Sequence, residues 1–153
     1  DKKKRQVLML KKINFIVTVF LIINFTNFLY AENNFFEEGK EKYNAKEYKS
    51  SKFLFQRSIV FDPKSAKSYL YLAKIFNFEK NKKEEEKNID TVLLLEPTNE
   101  EAIYMLMNIE LKKSNYLEVK KLAETFSKVC KDLCEKKDLI MDSLKNLEPK
   151  NES

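Results

Sequence analysis

The feature that most constrains the fold is an acid–proline turn that occurs twice. The chain contains VFDPKSAKSYLYLA at residues 60–73 and LLEPTNEEAIYMLM at residues 94–107, which places Pro63 and Pro97 34 residues apart. In both stretches an apolar pair precedes the acid and the proline, and a polar spacer leads into an apolar run. Proline cannot continue a helix but suits the first turn of the next one, so each copy predicts a helix end followed by a helix start.

The residues that follow the first turn predict a helix rather than a strand. Between Ala66 and Phe78 apolar residues recur at intervals of three and four, which places them on one helical face. The chain has 153 residues but only one glycine and three prolines, too few for the tight turns of β-hairpins. We therefore predict one all-α domain, in which helix pairs stack because each pair alone leaves an apolar face exposed.

Units of 34 residues aligned on the prolines begin at Glu32, Ala66 and Glu100, and their equivalent positions carry similar residues. The fourth positions hold Phe35, Tyr69 and Ile103; the eighth hold Gly39, Ala73 and Met107; the twenty-fourth hold Phe55, Ile89 and Ala123. This period and pattern resemble the tetratricopeptide repeat (TPR) family.

The resemblance implies an α-solenoid of three TPR helix hairpins, with repeats at about residues 32–65, 66–99 and 100–131. It also implies that Gly39 lies where the two helices of the first hairpin come close together. Three positions depart from the family pattern. Glu38 and Glu85 are charged where the family has apolar or small residues, and Lys131 replaces the third proline.

A stack of hairpins needs a polar cover at its end, and the C-terminal residues predict one. Asp132 followed by Glu135 is typical of a capping box at a helix start. We predict a capping helix at residues 133–147, which completes a TPR domain at residues 32–148, and a disordered tail at residues 149–153. Its apolar face comprises Leu133, Leu139, Ile140, Leu144 and Leu147.

Residues 1–31 are a basic stretch followed by an apolar run and then Ala31, the order found in secretory signal peptides. We expect cleavage after Ala31. The alternative is an uncleaved N-terminal membrane anchor, because residues 13–30 approach the length of a membrane span; a buried first helix is a third option. The two main alternatives place the remaining chain outside the cytoplasm, in the periplasm or cell envelope of a bacterium.

The charge distribution argues against nucleic-acid binding. The chain has a formal net charge of +5, but residues 1–31 alone carry six basic residues and one acidic residue. The remaining residues are balanced, with 23 basic and 23 acidic. A charge-balanced domain lacks the excess of cations that strong binding to phosphates requires.

The residues that carry common enzyme chemistry are missing. The chain has no histidine, the commonest general base and metal ligand, and a single glycine cannot form a phosphate-binding loop. The acids of KKEEEK at residues 82–87 occupy adjacent helical positions, where side chains diverge. We expect no enzymatic activity, no cofactor and no metal.

Cys130 and Cys134 are the two cysteines of the chain, too few for a structural zinc site. A turn at Lys131 and Asp132 would allow a disulfide that attaches the capping helix to the last repeat, and an oxidising compartment would permit it. Two free, packed thiols are the alternative.

The family resemblance implies a concave groove lined by the first helix of each hairpin, which would bind an extended peptide or partner protein. Aromatic rings beside lysine and asparagine suit such a ligand. For Tyr43, Leu70, Tyr104 and Leu111, packing between neighbouring helices is an equal alternative. The implied groove residues are Phe36, Lys40, Tyr43, Asn44, Lys67, Leu70, Lys74, Asn77, Phe78, Glu101, Tyr104, Asn108 and Leu111.

One subset of the family clamps a C-terminal carboxylate with lysine and asparagine at the fifth and ninth positions of its first repeat. Here these positions hold Phe36 and Lys40, so we do not expect that clamp. We expect a non-enzymatic, monomeric adaptor or scaffold; the alternative is a membrane-tethered structural protein that assembles end to end.

Overall fold

The computed structural model describes residues 5, 12, 14–20 and 34–147. In the range 34–147 every regular element is an α-helix, so the all-α prediction is confirmed. The described part of the N-terminal segment, including residues 14–20, is also helical. The helices are α1 (residues 34–44), α2 (Tyr48–Phe61), α3 (Ala66–Phe78), α4 (Lys82–Leu95), α5 (Glu100–Lys112), α6 (Tyr116–Val129) and α7 (Cys134–Leu147).

Two of the predictions fall outside these residues. The cleavage site after Ala31 and the tail at residues 149–153 both lie beyond the described ranges. Within those ranges, no helix combines the length and the apolar character that crossing a membrane requires.

Three apolar clusters hold the stack together, and each joins one hairpin to the next helix along the chain. Their buried side chains, at roughly 1.5–3 kcal/mol for each large one, are the main stabilising contribution. The first cluster comprises Phe36, Phe55, Leu72, Ile75 and Phe76. The second comprises Ala66, Leu70, Ala73, Ile89, Val92, Ala102 and Ile109. The third comprises Ile103, Met107, Val119, Ala123, Phe126, Ile140 and Leu144, so α7 covers the C-terminal end of the stack.

Gly39 lies at the closest approach of α1 and α2. A Cβ atom at this position would come within 2.9 Å of Cε1 of Phe55, a fully buried ring of α2. The Ser51 hydroxyl donates a hydrogen bond of 2.8 Å to the Gly39 carbonyl and joins the helices at the same level. The predicted close packing at Gly39 is confirmed.

The turn inside each hairpin repeats with the same 34-residue period. Lys46, Lys80 and Ser114 have φ angles of 62°, 59° and 60°, in the left-handed region. In each turn this residue's amide donates to the carbonyl three residues earlier, and the next amide donates to the carbonyl five residues earlier. This is the Schellman helix end, in which glycine usually occupies the left-handed position.

Replacing Lys80 by glycine is expected to raise the free energy of unfolding by about 0.5–1 kcal/mol. The left-handed conformation costs a residue with a Cβ roughly 1–2 kcal/mol, and the greater freedom of glycine in the unfolded chain offsets part of that gain. Chemical denaturation measures the difference. Lys87→Gly, the same exchange at an exposed interior position of α4, should instead destabilise the protein by about 1 kcal/mol. Equal losses in both variants would contradict this interpretation of the turn.

Ion pairs between successive hairpins also follow the repeat, with their charges exchanged. Lys52 of α2 pairs with Glu79 after α3 at 2.6 Å. The equivalent positions one unit later are Glu86 of α4 and Lys113 after α5, at 2.5 Å. Because these pairs are partly exposed, each adds about 0–1 kcal/mol.

The turn between α6 and α7 differs from the two proline turns. The Glu100 carboxylate, at the start of α5, accepts hydrogen bonds from the amides of Lys131, Asp132 and Leu133 at 2.8–3.3 Å. The sequence predicted that Asp132 and Glu135 form a capping box, whereas the Asp132 amide is bound to Glu100 instead. An acceptor 32 residues upstream of Asp132 thus replaces the local cap.

A disulfide joins Cys130, directly after α6, to Cys134, the first residue of α7. The residues between them form the turn that the sequence indicated at Lys131 and Asp132. The turn is therefore held twice, by the covalent bridge and by Glu100.

The contribution of Glu100 to the free energy of unfolding should depend on pH. The amide of Lys131 lowers the pKa of Glu100 most strongly, burial opposes this, and the amides of Leu133 and Asp132 lower it further. Because its pKa is lowered by folding, the Glu100 carboxylate stabilises the fold fully at pH values above its unfolded-state pKa of about 4.3. This stabilisation is lost as the pH falls through the lower pKa of the folded state.

We therefore expect Glu100→Gln to lower the thermal midpoint at neutral pH, and the difference from the parent to shrink as the pH falls below about 4. Calorimetry across this range measures both proteins. Glu124→Gln, which removes an exposed acid of α6, is the control for charge alone. A difference between Glu100→Gln and the parent that stays constant with pH would contradict the role of the carboxylate.

Candidate functional site

The first helices of the three hairpins line an open groove with a cavity of about 460 Å³. Helices α1, α3 and α5 supply eight of its lining residues and α4 supplies one. The lining consists of Tyr43, Lys74, Asn77, Glu85, Glu101, Tyr104, Met105, Asn108 and Lys112.

Six of the residues that the sequence indicated are brought together in this cavity. They come from all three repeats, although they are up to 65 positions apart in the chain. These six are Tyr43, Lys74, Asn77, Glu101, Tyr104 and Asn108.

Four of the other expected groove residues do not line the cavity, and three of them pack in or against the apolar clusters. Phe36 and Leu70 are only 8% and 9% exposed and belong to the apolar clusters rather than to the cavity lining. For Leu70 this is the packing alternative that the sequence left open. Leu111 packs against the third cluster. Phe78 is largely exposed, and its ring lies 4.3 Å from that of Tyr48.

The remaining three are exposed lysine and asparagine side chains that also lie outside the cavity lining. Lys40 and Asn44 are exposed on α1. Lys67 places its Nζ atom 4.0 Å from the centre of the Phe36 ring, which gives it a cation–π contact at the edge of the first cluster.

The sequence pattern did not indicate three of the lining residues. Lys112 occupies the thirteenth position of its unit, the same position that selected Asn44 and Phe78, so the pattern could have found it. Glu85 departs from the family pattern and is one of the acids of KKEEEK, and neither feature indicated a groove position. Nothing in the sequence singled out Met105, which also packs against the second cluster.

An ion pair crosses the groove and joins two of its walls. Nζ of Lys74 on α3 lies 2.8 Å from the carboxylate of Glu101 on α5, and 4.8 Å from the centre of the Tyr71 ring. Burial raises the pKa of the Tyr43 hydroxyl, with further increases from Tyr48, Glu101 and Tyr71. Tyr43 therefore stays a neutral hydroxyl that can donate or accept a hydrogen bond.

Glu85 is a buried acid in the groove wall. It is 4% exposed, and its carboxylate accepts a hydrogen bond of 2.6 Å from the Asn77 amide. Together with Lys112 it also lines an adjoining cavity of about 60 Å³ between α4 and α5. Asn108 donates to the Tyr104 carbonyl at 2.9 Å, which leaves its side-chain oxygen as an acceptor.

The groove thus offers aromatic surface, amide groups and both signs of charge, the composition that suits a polypeptide segment. In the part of the chain that the structure describes, no group of side chains is arranged to hold a metal ion.

No family model and no curated protein matches this sequence. Solved structures do match in fold. The TPR2B domain of yeast Sti1, in a complex with pHsp70, has a TM-score of 0.68 at 12% identity over 76% of this chain and 98% of that one. The Arabidopsis OM64 TPR domain has a TM-score of 0.67 at 15% identity, over 76% and 95%.

A bacterial protein is similar as well. The Yersinia enterocolitica type III secretion chaperone SycD, in complex with a peptide of the translocator YopD, has a TM-score of 0.65 at 11% identity, over 74% of this chain and 89% of that one. The chain therefore has the TPR fold, as its sequence pattern predicted.

Proposed function

We propose that this chain is a non-enzymatic protein-interaction module that binds an extended segment of a partner protein in the groove between α1, α3 and α5. The observation that carries the proposal is the convergence of Tyr43, Lys74 and Tyr104 from three repeats on one open cavity. Two proteins of similar fold, the yeast domain and the Yersinia chaperone, form complexes with pHsp70 and with a translocator peptide.

The chemistry of the groove supports a peptide rather than a small molecule. The Tyr43 and Tyr104 rings provide apolar contact, while Asn77 and Asn108 can form hydrogen bonds with a peptide backbone. Lys74 and Glu101 neutralise each other at 2.8 Å, so they fix the distance between two walls and offer no net charge to a ligand.

We also propose that the module works outside the cytoplasm of a bacterium, after export. The pattern of residues 1–31 supports this, and the disulfide between Cys130 and Cys134 suits an oxidising compartment. N-terminal sequencing of the native protein should find Glu32 as the first residue; a chain that retains residues 13–30 would instead support the membrane anchor.

The two ends of the stack favour an adaptor over end-to-end assembly. Helix α7 covers the third cluster at the C-terminal end. At the other end, Glu38 and Lys42 occupy the positions at which the second unit has Leu72 and Phe76, which are buried against the first hairpin. A further copy would therefore meet charged side chains instead of an apolar surface.

Site-specific cross-linking tests the groove. A photoreactive phenylalanine analogue in place of Tyr104, in the full chain expressed in its own host, should attach to one partner segment. The same analogue at Leu117, an 81% exposed residue of α6, is the control. Equal cross-linking at the two positions would contradict the proposal.

A synthetic peptide of the attached segment then gives an affinity. Lys74→Glu should weaken its binding at least about tenfold, because two carboxylates would face each other across the groove. Lys83→Glu, on the outer side of α4, should leave the affinity unchanged. Loss of affinity in both variants, or in neither, would place the binding site elsewhere.

A further inference from the structure

The outer side of α2 differs from that of every other second helix in the stack. Its 14 residues include Lys49, Lys52 and Arg57 and no acid. By contrast, α4 has three basic and four acidic residues, and α6 has three and two. The nearest acid before α2, Glu47, is paired with Lys42 at 2.9 Å. Lys52 is paired with Glu79. Among the described residues, Lys49 and Arg57 form no ion pair, so these two side chains present the uncompensated positive charge of the helix.

Large apolar side chains lie among these cations. Phe53 is 58% exposed and Val60 is 77% exposed, one on each side of the exposed Gln56. With Lys49 they recur at intervals of three and four residues, which places them on one face of the helix. Arg57 lies beside this face, with its guanidinium 5.8 Å from the Phe53 ring centre and 4.4 Å from that of Phe35. We call Lys49, Phe53, Gln56, Arg57 and Val60 the α2 outer face.

We propose that the α2 outer face docks on the surface of a membrane that contains anionic lipids. A helix face that combines exposed aromatic and aliphatic side chains with cations binds at the level of the lipid headgroups, where rings enter the acyl boundary and cations meet phosphates.

The charges favour lipid over a second copy of the chain. Two α2 outer faces in contact would place Lys49 and Arg57 of one copy opposite the same cations of the other, which is unfavourable. An anionic lipid surface gains from those charges instead. Helix α2 contributes no side chain to the lining of the groove, so docking through its outer face would leave the groove free for a partner.

Tryptophan fluorescence of the full chain tests the proposal at position 53, in the middle of the α2 outer face. The chain contains no tryptophan, so Phe53→Trp gives a single reporter and the N-terminal segment contributes no signal. With vesicles of phosphatidylcholine and phosphatidylglycerol, we expect the emission of the Phe53→Trp variant to shift to the blue and to be quenched by brominated acyl chains. Vesicles of phosphatidylcholine alone should give neither. The matched reporter, Leu117→Trp on α6, should give neither with both kinds of vesicle.

Charge variants in the Phe53→Trp background complete the test. Lys49→Glu with Gln56→Glu should raise the lipid concentration for half of the blue shift at least about tenfold. Both positions are exposed, and circular dichroism verifies that the variant keeps its helices. Lys83→Glu with Thr125→Glu changes the net charge by the same amount on α4 and α6, and should have little effect.

Three results would overturn the proposal. One is a tryptophan emission at position 53 that vesicles do not change. Another is equal quenching of the reporters at positions 53 and 117. The third is a blue shift that rises with protein concentration in the absence of lipid, which would identify a second copy as the occupant of the α2 outer face.

Discussion

Replacing Phe55 by alanine is expected to lower the free energy of unfolding by about 3–5 kcal/mol. Phe55 is fully buried, and its ring centre lies 5.7 Å from that of Phe36 and 4.9 Å from that of Tyr71. These rings belong to α1, α2 and α3, so one substitution removes the side chain that joins the first hairpin to the second. Urea denaturation followed by circular dichroism measures the loss.

Phe53→Ala is the matched control, because Phe53 lies two residues earlier on the same helix and is 58% exposed. Its cost should stay within about 0.5 kcal/mol, the usual range for a surface position. Similar losses at the two positions would mean that α2 does not present the face that the structure assigns to the core.

Gly39→Ala is expected to destabilise the protein by about 1–3 kcal/mol, the opposite of what this exchange does inside most helices. The added methyl group would come within 2.9 Å of Cε1 of Phe55, and that ring is held by its own neighbours. The clash outweighs the gain in helix propensity, which is at most about 1 kcal/mol.

A double-mutant cycle isolates that clash. In a Phe55→Ala background the obstructing ring is absent, so Gly39→Ala should become neutral or stabilising. Denaturation of the four proteins gives the coupling between the two positions. If Gly39→Ala cost the same in both backgrounds, the close approach of α1 and α2 would not be the reason for the glycine.

The repeat pattern was sufficient to predict the helices and their order, because it depends on local chemistry. The apolar stripe after Pro63 predicted a helix from Ala66 to Phe78, the bounds that α3 has. The departure at Lys131 also indicated correctly that the third turn would differ, although the sequence could not identify what replaces the proline. Glu100 acts from 31 residues away, and a long-range hydrogen bond leaves no local pattern.

The groove was predictable in outline but not residue by residue. The family positions indicated which helices face inward, and six side chains do meet there. Phe36 and Leu70 were expected to line the groove but are buried in the apolar clusters. A small rotation of a helix about its axis decides whether such a side chain packs against the neighbouring helix or faces the groove. The left-handed residues Lys46, Lys80 and Ser114 were also missed, since none of them is the glycine that usually marks such a turn.

The central claim is that the groove between α1, α3 and α5 binds a partner polypeptide. Its most direct test is hydrogen–deuterium exchange of the full chain, with and without the synthetic peptide of the segment that cross-linking identifies. If the groove binds an extended polypeptide, protection should increase in α1, α3 and α5, near Tyr43, Lys74 and Tyr104, and change little in α2, α4 and α6. Protection confined to the second helices, or none in α3 and α5, would contradict the groove as the binding site.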